Sequence, residues 1–515
     1  MLFELLLLIG TLTVLYYFHL KRKWTLWEKK GVPFIPGTFP FGSTAVFNWD
    51  VVLGRKNFNQ MALEQASSLG FPKVFGVYDF GTPLLVVNDP EIAKQVMVKD
   101  FDHFVNRQGD ALAFLLEGKT EVDQAWGKQI TSLRGEEWKH SRMTFTPIFT
   151  GGKLKGMIHF IHQVTDELIK SLDACVAKDQ PVNLKDKFGN MSMDAISSCA
   201  FGLNANSFND KNSTNKRHAR RIFRNSGKDF FKLFCAMMPG GVKLMELMNI
   251  PVMKGPETEF FLKIIRDTIA HRLLTKTRRN DLVDLMIDAM NENRTKGARE
   301  DQDSDELSIG ATALVILVAG YDTTAQTMAL TSYYLAKNPD CQEKLYQEIM
   351  DAVSEMDDEH PDYNLVQGLP YLDMVVHETL RIMPALGVIT RGCSKDYPFP
   401  GIDYVIPKGT ELHIYVGGIH MNPDIYPDPE KFDPERFSKE AKAERHPYAF
   451  LGFGQGPRSC IGMRFALLEA KLALFATLRK YKLKTCPETV EAFTLDPSAI
   501  LSNPKEDLLI KLEAR

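Results

Sequence analysis

The sequence predicts a mainly α domain with a small, irregular β portion, and three observations carry that expectation. From residue 135 onward apolar residues recur mostly at helical spacing, as over residues 153–172 and 190–200. Residues 304–337 contain no breaker before Asn338-Pro339, which predicts a helix of about 33 residues, roughly 50 Å at 1.5 Å per residue. Strand patterns are short: residues 74–78 and 84–87 joined through 79–83, then 404–406 and 412–416 split by Pro407-Lys408-Gly409, then 508–512. No repeat appears, and no linker separates residue 70 from the end. One large domain is therefore expected, although 515 residues would suggest about three by length alone.

The elements follow in order. Residues 2–20 are apolar apart from Glu4 and His19, and Lys21-Arg22-Lys23 comes next. A cleaved signal peptide needs a basic start and small residues at the cleavage site. Here Glu4 is acidic, and Tyr16-Tyr17-Phe18 fill the place of the small residues. Residues 1–20 thus read as a retained transmembrane signal-anchor helix. The basic triplet puts its C-terminal side in the cytoplasm, and Trp24 and Trp27 are expected to extend the interfacial anchoring. Residues 21–45 form a basic connector stiffened by Pro33, Pro36 and Pro40, and residues 46–515 form the catalytic domain. Asp89-Pro90 opens a helix. Residues 291–303, polar and charge-rich, read as a surface loop, after which Ser304 caps the long helix with Asp305 and Glu306 in its first turn.

Lys+Arg is 62 against 65 Asp+Glu, a net charge of −3, so nothing points to nucleic acid. Seven cysteines are scattered along the chain without a CxxC pair. That usage suggests a reducing compartment, no disulfide framework and no zinc.

Chemistry concentrates in Phe453-Gly454-Gln455-Gly456-Pro457-Arg458-Ser459-Cys460-Ile461-Gly462, a glycine-lined loop that delivers one cysteine to a helix spanning residues 463–478. A sulfur at a helix N-terminus meets unpaired N–H groups, so its pKa is expected to fall. Gly454 and Gly456 permit unusual backbone conformations, and Gly462 lets a flat cofactor lie against the helix. Arg458 can reach an anionic edge of that cofactor. These features predict an iron porphyrin with an axial thiolate; the alternative is a buried structural cysteine.

Three further constellations accompany the loop. The long helix is apolar on every face over residues 311–319 and then carries Ala319-Gly320-Tyr321-Asp322-Thr323-Thr324. Gly320 and a back-bonding threonine would open a groove there, with Thr323 as hydrogen-bond donor to dioxygen and Asp322 as proton relay. Alternatively, Thr323 is satisfied by its own backbone and Asp322 sits in an ion pair. Glu378 and Arg381 form an i,i+3 pair in an apolar stretch, and burial would require a third partner, for which Arg436 is the candidate. This network is structural. Trp138 and Arg142, four apart, form either a local cation–π pair or two donors aimed at propionates, and Arg391 offers a third cationic contact.

In this order and at these separations the residues resemble the cytochrome P450 family, over essentially the whole chain after the anchor. The likeness extends to its microsomal animal members that oxidise drugs and steroids, through Phe145-Thr146-Pro147, Tyr371-Leu372-Asp373-Met374 and Cys460-Ile461-Gly462-Met463-Arg464-Phe465. The resemblance implies a cytochrome P450-like haem domain behind an N-terminal transmembrane anchor helix. It makes Cys460 the axial ligand of haem b. Arg458, Trp138, Arg142 and Arg391 bind its propionates, and Phe453, Gly454, Gly462 and Ala319 contact it. It gives Thr323 and Asp322 the handling of dioxygen and protons, and Glu378, Arg381 and Arg436 the fold. One departure is Gly452, where a proline is common in these relatives.

The resemblance also implies a monooxygenase acting on lipophilic substrates at the endoplasmic reticulum membrane, with its catalytic domain on the cytoplasmic face. Electrons come from NADPH through a separate flavoprotein, NADPH-cytochrome P450 reductase, with cytochrome b5 as a further donor. Lys128, Arg134, Lys139, Lys431, Lys439, Arg445, Arg464 and Lys471 are either a basic docking face or scattered, solvated charges. Substrate contacts are expected from residues 107–116, 230–253, 315–319, 385–389 and 498–500. The phenylalanines and methionines of 230–253 form either an adaptable pocket wall or ordinary core and membrane-dipping surface. Two rivals remain: an isomerase or dehydratase on the same haem-thiolate scaffold, and a non-catalytic haem sensor.

Overall fold

The computed structural model describes residues 2–109, 118–210, 213–237, 240–295 and 302–515. Helices dominate, with two small multistranded sheets and a two-stranded one. The N-terminal helix is Leu2–Lys23, three residues longer than the expected span. Its Leu7, Leu12, Leu15 and Phe18 are exposed.

The connector is docked, which corrects the expected role of its tryptophans. Trp27 is 0% exposed, and its Nε1 donates to the Val77 carbonyl at 3.1 Å. Its indole lies over Gly76, where a Cβ would come within 2.3 Å of the ring. Trp24 donates to the Phe80 carbonyl at 2.6 Å. An indole that finds both an apolar bed and an acceptor gains more inside a core than at a membrane interface.

The predicted hairpin forms, with Val74–Asp79 antiparallel to Thr82–Val87. The second strand pair does not form as read. Val405–Ile406 pairs with Tyr397–Pro398, whereas Glu411–Tyr415 enters the four-stranded sheet. There it runs parallel to Thr82–Val87 through Leu85↔Leu412 and antiparallel to Val388–Gly392 through Arg391↔Leu412. Every residue of Glu411–Tyr415 is buried, so both of its edges need partners. At the far end of the chain, Leu509–Ala514 is flanked by Val182–Asn183 and Tyr481–Lys484.

The long helix, Gln302–Lys337, runs through the main core. It begins before Ser304, which therefore lies inside the helix and is not its cap. The preceding helix, Leu282–Thr295, also extends into the expected 291–303 loop. Residues 296–301 lie outside the described residues. By length and composition Glu306–Lys337 would suit a membrane span, yet it is mostly buried inside the protein. Its buried threonines back-bond within the helix: Thr327 donates to the Thr323 carbonyl at 2.9 Å and Thr331 to the Thr327 carbonyl at 2.8 Å. Burial of these hydroxyls is thereby tolerated. Val315, Ala319 and Thr323, spaced by four, keep accessible surface. Together with Gly320 they form a partly accessible stripe in the otherwise buried middle of the helix. Leu184–Ile196 and Met463–Lys480 pack against this helix, and Ile196 sits over Gly320, where a Cβ would lie 3.2 Å away.

Candidate active site

Two glycines shape the cysteine loop as the sequence requires. Gly454 has φ +67° and Gly456 φ +74°, and a Cβ at Gly456 would lie 2.2 Å from the Met97 carbonyl oxygen. The Cys460 N–H donates to the Phe453 carbonyl at 2.9 Å, and the helix Met463–Lys480 begins just past Gly462. Cys460 is exposed, unlike buried Cys199 and Cys393. Beside it, a Cβ on Gly462 would meet only Phe149, at 3.9 Å, so the loop leaves room on this face.

The expected fall in the thiol pKa is not what the surroundings produce. Although the residue keeps accessible surface, protein atoms crowd its sulfur, so desolvation pushes the thiol pKa up, and the N–H groups of Gly462 and Met463 with the guanidiniums of Arg107 and Arg142 only partly oppose that. A helix N-terminus supplies about half a charge, less than burial costs a thiolate. A cation bound to the sulfur reverses the balance.

Four guanidiniums converge near this cysteine. Arg458 donates to the carbonyls of Val105 at 2.8 Å, Ile130 at 3.2 Å and Leu133 at 2.7 Å. It also stacks 4.1 Å from the Trp138 ring centroid. Trp138 therefore faces Arg458; the local pairing with Arg142 does not form. Arg142 instead donates to the Ser459 carbonyl at 2.9 Å, and Arg391 to the Thr390 carbonyl at 2.8 Å. Arg107 reaches the Arg458 carbonyl at 3.3 Å. The Nε atoms of Arg107 and Arg391 are buried without an acceptor. Among the described residues no carboxylate pairs with any of the four.

Burial, then repulsion from Arg107, lowers the Arg391 pKa to about 9. Burial, then Arg107, Arg391 and Arg142, lowers that of Arg458 to about 8. Buried, mutually repelling cations call for anionic partners. A cofactor with two carboxylates on one edge and a thiolate-binding metal at its centre fits this donor set, which is the composition of haem. Arg107, expected only as part of a substrate-contacting segment, was not foreseen among these guanidiniums because it stands in an irregular loop, where no spacing sets it apart.

The Glu378–Arg381 pair is buried and hydrogen-bonded within the chain, while Arg436, the third member, reaches the carboxylate as an ion pair with its Nε left without a hydrogen bond. Arg381 Nε and Nη2 donate to Glu378 at 2.7 and 2.8 Å, with both side chains 0% exposed. Arg436 Nε lies 3.5 Å from the same carboxylate, so the three residues meet as predicted. Arg381 also bonds the carbonyls of His420 at 2.9 Å and Pro429 at 2.7 Å. His420, unmarked by any sequence motif, carries the network onward. Its Nδ1 lies 3.0 Å from the Arg381 carbonyl, and its Nε2 accepts from the Leu451 N–H at 2.8 Å. That Nε2 contact fixes the tautomer with the proton on Nδ1. The network thereby reaches the start of the cysteine loop. The ring of Phe450 stacks on His420 with centroids 5.4 Å apart. Gly452 makes room for that ring, since a Cβ there would lie 2.6 Å from Phe450.

On the central helix Thr323 Oγ1 donates to the Ala319 carbonyl at 2.6 Å. Asp322 pairs with Lys185 Nζ at 3.3 Å and accepts from Asn503 Nδ2 at 2.9 Å. The backbone-satisfied threonine and the ion-paired aspartate are thus the arrangement present. Thr323 nevertheless lies on the accessible stripe with Ala319.

The basic candidates divide. Lys471 is 2% exposed and bonds Asp373 at 2.9 Å, so it cannot meet a partner; it lies on the packed face of its helix. Arg445 stacks on Tyr426 and Phe437. Lys139 pairs with Glu136 at 2.6 Å while staying accessible, and Lys439 and Arg464 are exposed. Of the expected substrate segments, residues 110–116 and 238–239 lie outside the described residues. Phe231, Phe234, Leu244, Leu247 and Met248 point outward and are exposed.

An accessible cysteine at a helix start, ringed by arginines without carboxylate partners and backed by a buried helix with one accessible stripe, defines a haem-thiolate protein. The family model described as Cytochrome P450 matches residues 43–511, and the chain belongs to the cytochrome P450 family. It is similar to "Cytochrome P450 3A16" of Mus musculus, 36% identical over 514 residues, 99% of this chain and 97% of that protein. "Lithocholate 6-beta-hydroxylase" of Mesocricetus auratus is 34% identical over 98% of this chain and 95% of its own length. "Probable cytochrome P450 6a14" of Drosophila melanogaster is 33% identical over the full length of both chains. The chain is accordingly an oxidoreductase of the monooxygenase type. Its cofactor is haem b, with electrons from NADPH delivered by a reductase.

Proposed function

We propose that this chain is a membrane-anchored monooxygenase that inserts one atom of O2 into lipophilic substrates: xenobiotics, steroids or fatty-acid-like compounds. The observation that carries the reading is the group of arginines without carboxylate partners beside an accessible Cys460, two of which, Arg107 and Arg391, bury an Nε that has no acceptor. When bound, haem b supplies the dioxygen chemistry, with the thiolate pushing electron density toward iron. Cys460 holds the metal. Arg107, Arg142, Arg391 and Arg458, the last braced by Trp138, would neutralise the cofactor's carboxylates, and Phe453, Gly454, Gly462 and Ala319 would contact it. Thr323 turns its hydroxyl from the Ala319 carbonyl into the cleft and donates a hydrogen bond there. Asp322 resupplies that proton from solvent. Glu378, Arg381 and Arg436 hold the loop behind the cysteine.

The name of the Mesocricetus auratus relative, a lithocholate hydroxylase, favours rigid, lipophilic ring systems among the substrates. The exposed apolar face of Leu2–Lys23, followed by basic residues, supports residues 1–20 as a transmembrane anchor and the rest as a cytoplasmic domain on the endoplasmic reticulum. The outward apolar side chains of residues 231–248 would meet the same bilayer. NADPH-cytochrome P450 reductase, with cytochrome b5 as second donor, docks on a face that includes Lys139, Lys439 and Arg464. An isomerase or dehydratase on this scaffold would consume no oxygen and need no reductase. Substrate-dependent use of NADPH and O2 separates the two.

The reduced, CO-bound protein is expected to absorb at the thiolate-ligated position, and Cys460→Ala to lose that band completely. Thr323→Ala should keep the band while less product forms per NADPH. An unchanged yield would remove Thr323 from the mechanism.

A further inference from the structure

Glu411 and His413 stand on a strand all of whose residues are buried, where a carboxyl group costs stability unless its oxygens are bonded. Each oxygen of Glu411 has one partner. Oε1 accepts from the Gly109 N–H at 2.8 Å, and Oε2 lies 3.0 Å from His413 Nε2. No motif marks either residue. Glu411 is also no counter-charge for the arginines. Arg391 pairs with Leu412 and Gly392 with Glu411, so Glu411 projects from the face of the sheet opposite Arg391. Burial lowers the Arg107 pKa, and the charges acting on it beyond that belong to Cys460, which opposes, and Arg142, which adds. The acidic neighbour of Glu411 is Asp79, whose carboxyl is pushed up to about 7 by burial and then by Glu411.

What Glu411 holds is the segment 105–109. The Val105 carbonyl accepts from Arg458 Nε at 2.8 Å. The Asn106 carbonyl accepts from the Gly392 N–H at 2.8 Å. Asn106 Oδ1 accepts from the Gly135 N–H at 3.0 Å, at the start of the helix Gly135–Phe145 that carries Trp138. Arg107 follows, with Nη2 3.3 Å from the Arg458 carbonyl and a buried Nε that has no acceptor. Gly109 then closes the segment on Glu411. The approach is backbone to backbone: a Cβ on Gly392 would lie 2.2 Å from the Gln108 carbonyl oxygen, and one on Gly109 2.6 Å from that of Gly409. Arg107 is therefore strung between two fixed points, the backbone pairing at Asn106 and the side chain of Glu411.

From this juxtaposition we infer that Glu411 is a positioning residue for haem binding: with His413 fixing its second oxygen, it grips the Gly109 N–H and so sets the Arg107 guanidinium beside the cysteine loop. The inference rests on the reading of Arg107 as a donor to the cofactor's carboxylates. Tying both ends of a short segment removes its backbone freedom before the cofactor arrives. Arg107 then meets its anionic partner without first having to be ordered. The effect of Glu411 passes through Arg107.

The test uses the full-length holoenzyme and follows haem transfer to excess apomyoglobin. It compares wild type, Glu411→Leu, Glu411→Gln, His413→Gln, Arg107→Leu and the Glu411→Leu/Arg107→Leu double variant. Glu411→Leu fills the site without an acceptor and should speed haem loss about fivefold, the size of one lost hydrogen bond. Glu411→Gln keeps the acceptor and should lose haem at the wild-type rate. Adding Glu411→Leu to Arg107→Leu should change haem loss no further, because the two residues act as one. Amide hydrogen exchange over residues 105–109 supplies a readout independent of turnover: it should quicken in Glu411→Leu and not in Glu411→Gln. His413→Gln should quicken both exchange and haem loss to a smaller degree, and keeps the test open if Glu411→Leu misfolds.

Wild-type haem loss in Glu411→Leu beside fast loss in Arg107→Leu would overturn the positioning role. So would a double variant that loses haem faster than either single one, or a Glu411→Gln protein that behaves like Glu411→Leu. Unchanged haem loss in Arg107→Leu would instead overturn the reading of Arg107 on which the inference rests.

Discussion

Arg381 directs its donors into a bidentate pair with Glu378 and into the carbonyls of His420 and Pro429. Arg107 and Arg391 each leave a buried Nε without an acceptor, and no described carboxylate stands near either. Both settings remove guanidiniums from water, which costs several kcal/mol per ion unless the charge is matched. In the first the match lies within the chain. In the second it does not, and such a cluster suits an anionic partner from outside the chain. A satisfied buried charge marks architecture, whereas an unsatisfied one marks a binding site.

The contrast can be broken by truncating one arginine from each setting. Arg381→Met strands the Glu378 carboxylate and should cost about 3–5 kcal/mol, read as loss of folded protein both with and without haem. Arg391→Met should weaken haem retention by roughly 10–100-fold and leave the haem-free melting temperature unchanged or raised, because one of four repelling charges is gone. If both variants lost stability equally without haem, the distinction would collapse.

A pH titration sharpens the satisfied side. Burial, then the nearby Arg381 charge, lowers the His420 pKa to about 3. In the unfolded chain histidine titrates near 6.5. Between those values the unfolded state binds the extra proton, so stability is full above about pH 6.5 and falls as pH drops toward 3. Acid unfolding should begin in that window, and His420→Asn should flatten it.

The smallest effect concerns the surface. Charge reversal at Lys139 and Arg464 should slow electron transfer from the reductase about threefold to tenfold at low salt, the difference fading as salt screens it. Rates independent of salt in wild type would remove the basic docking face.

Local pattern made much of this legible. The glycines and Cys460 lie within ten residues of one another, and their conformations follow from the turn they build. Glu378 and Arg381 are one helical turn apart, so their contact needs no knowledge of the rest of the chain. The place of Arg107 beside the cysteine loop and the part played by His420 were invisible for the opposite reason: each acts only through partners hundreds or tens of residues away. Trp24 and Trp27 were misread because an indole beside a basic triplet looks interfacial until Gly76 and the Val77 carbonyl are placed beneath it. Glu411–Tyr415 was recognised as a strand but not by its neighbours, since five residues buried on both faces carry no pattern that specifies which edges they join.

The sequence by itself determined the helical class, the central helix, the cysteine-bearing loop and the Glu378–Arg381 pair, because short-range spacing and backbone preference suffice for each. Only the tertiary structure decided which guanidiniums lack a counter-charge, that Trp138 braces Arg458, and that Asp322 is held by Lys185 and Asn503. Those outcomes depend on burial and on meetings between distant segments, and electrostatic energies inside a protein are set by what surrounds a group rather than by its neighbours in the chain.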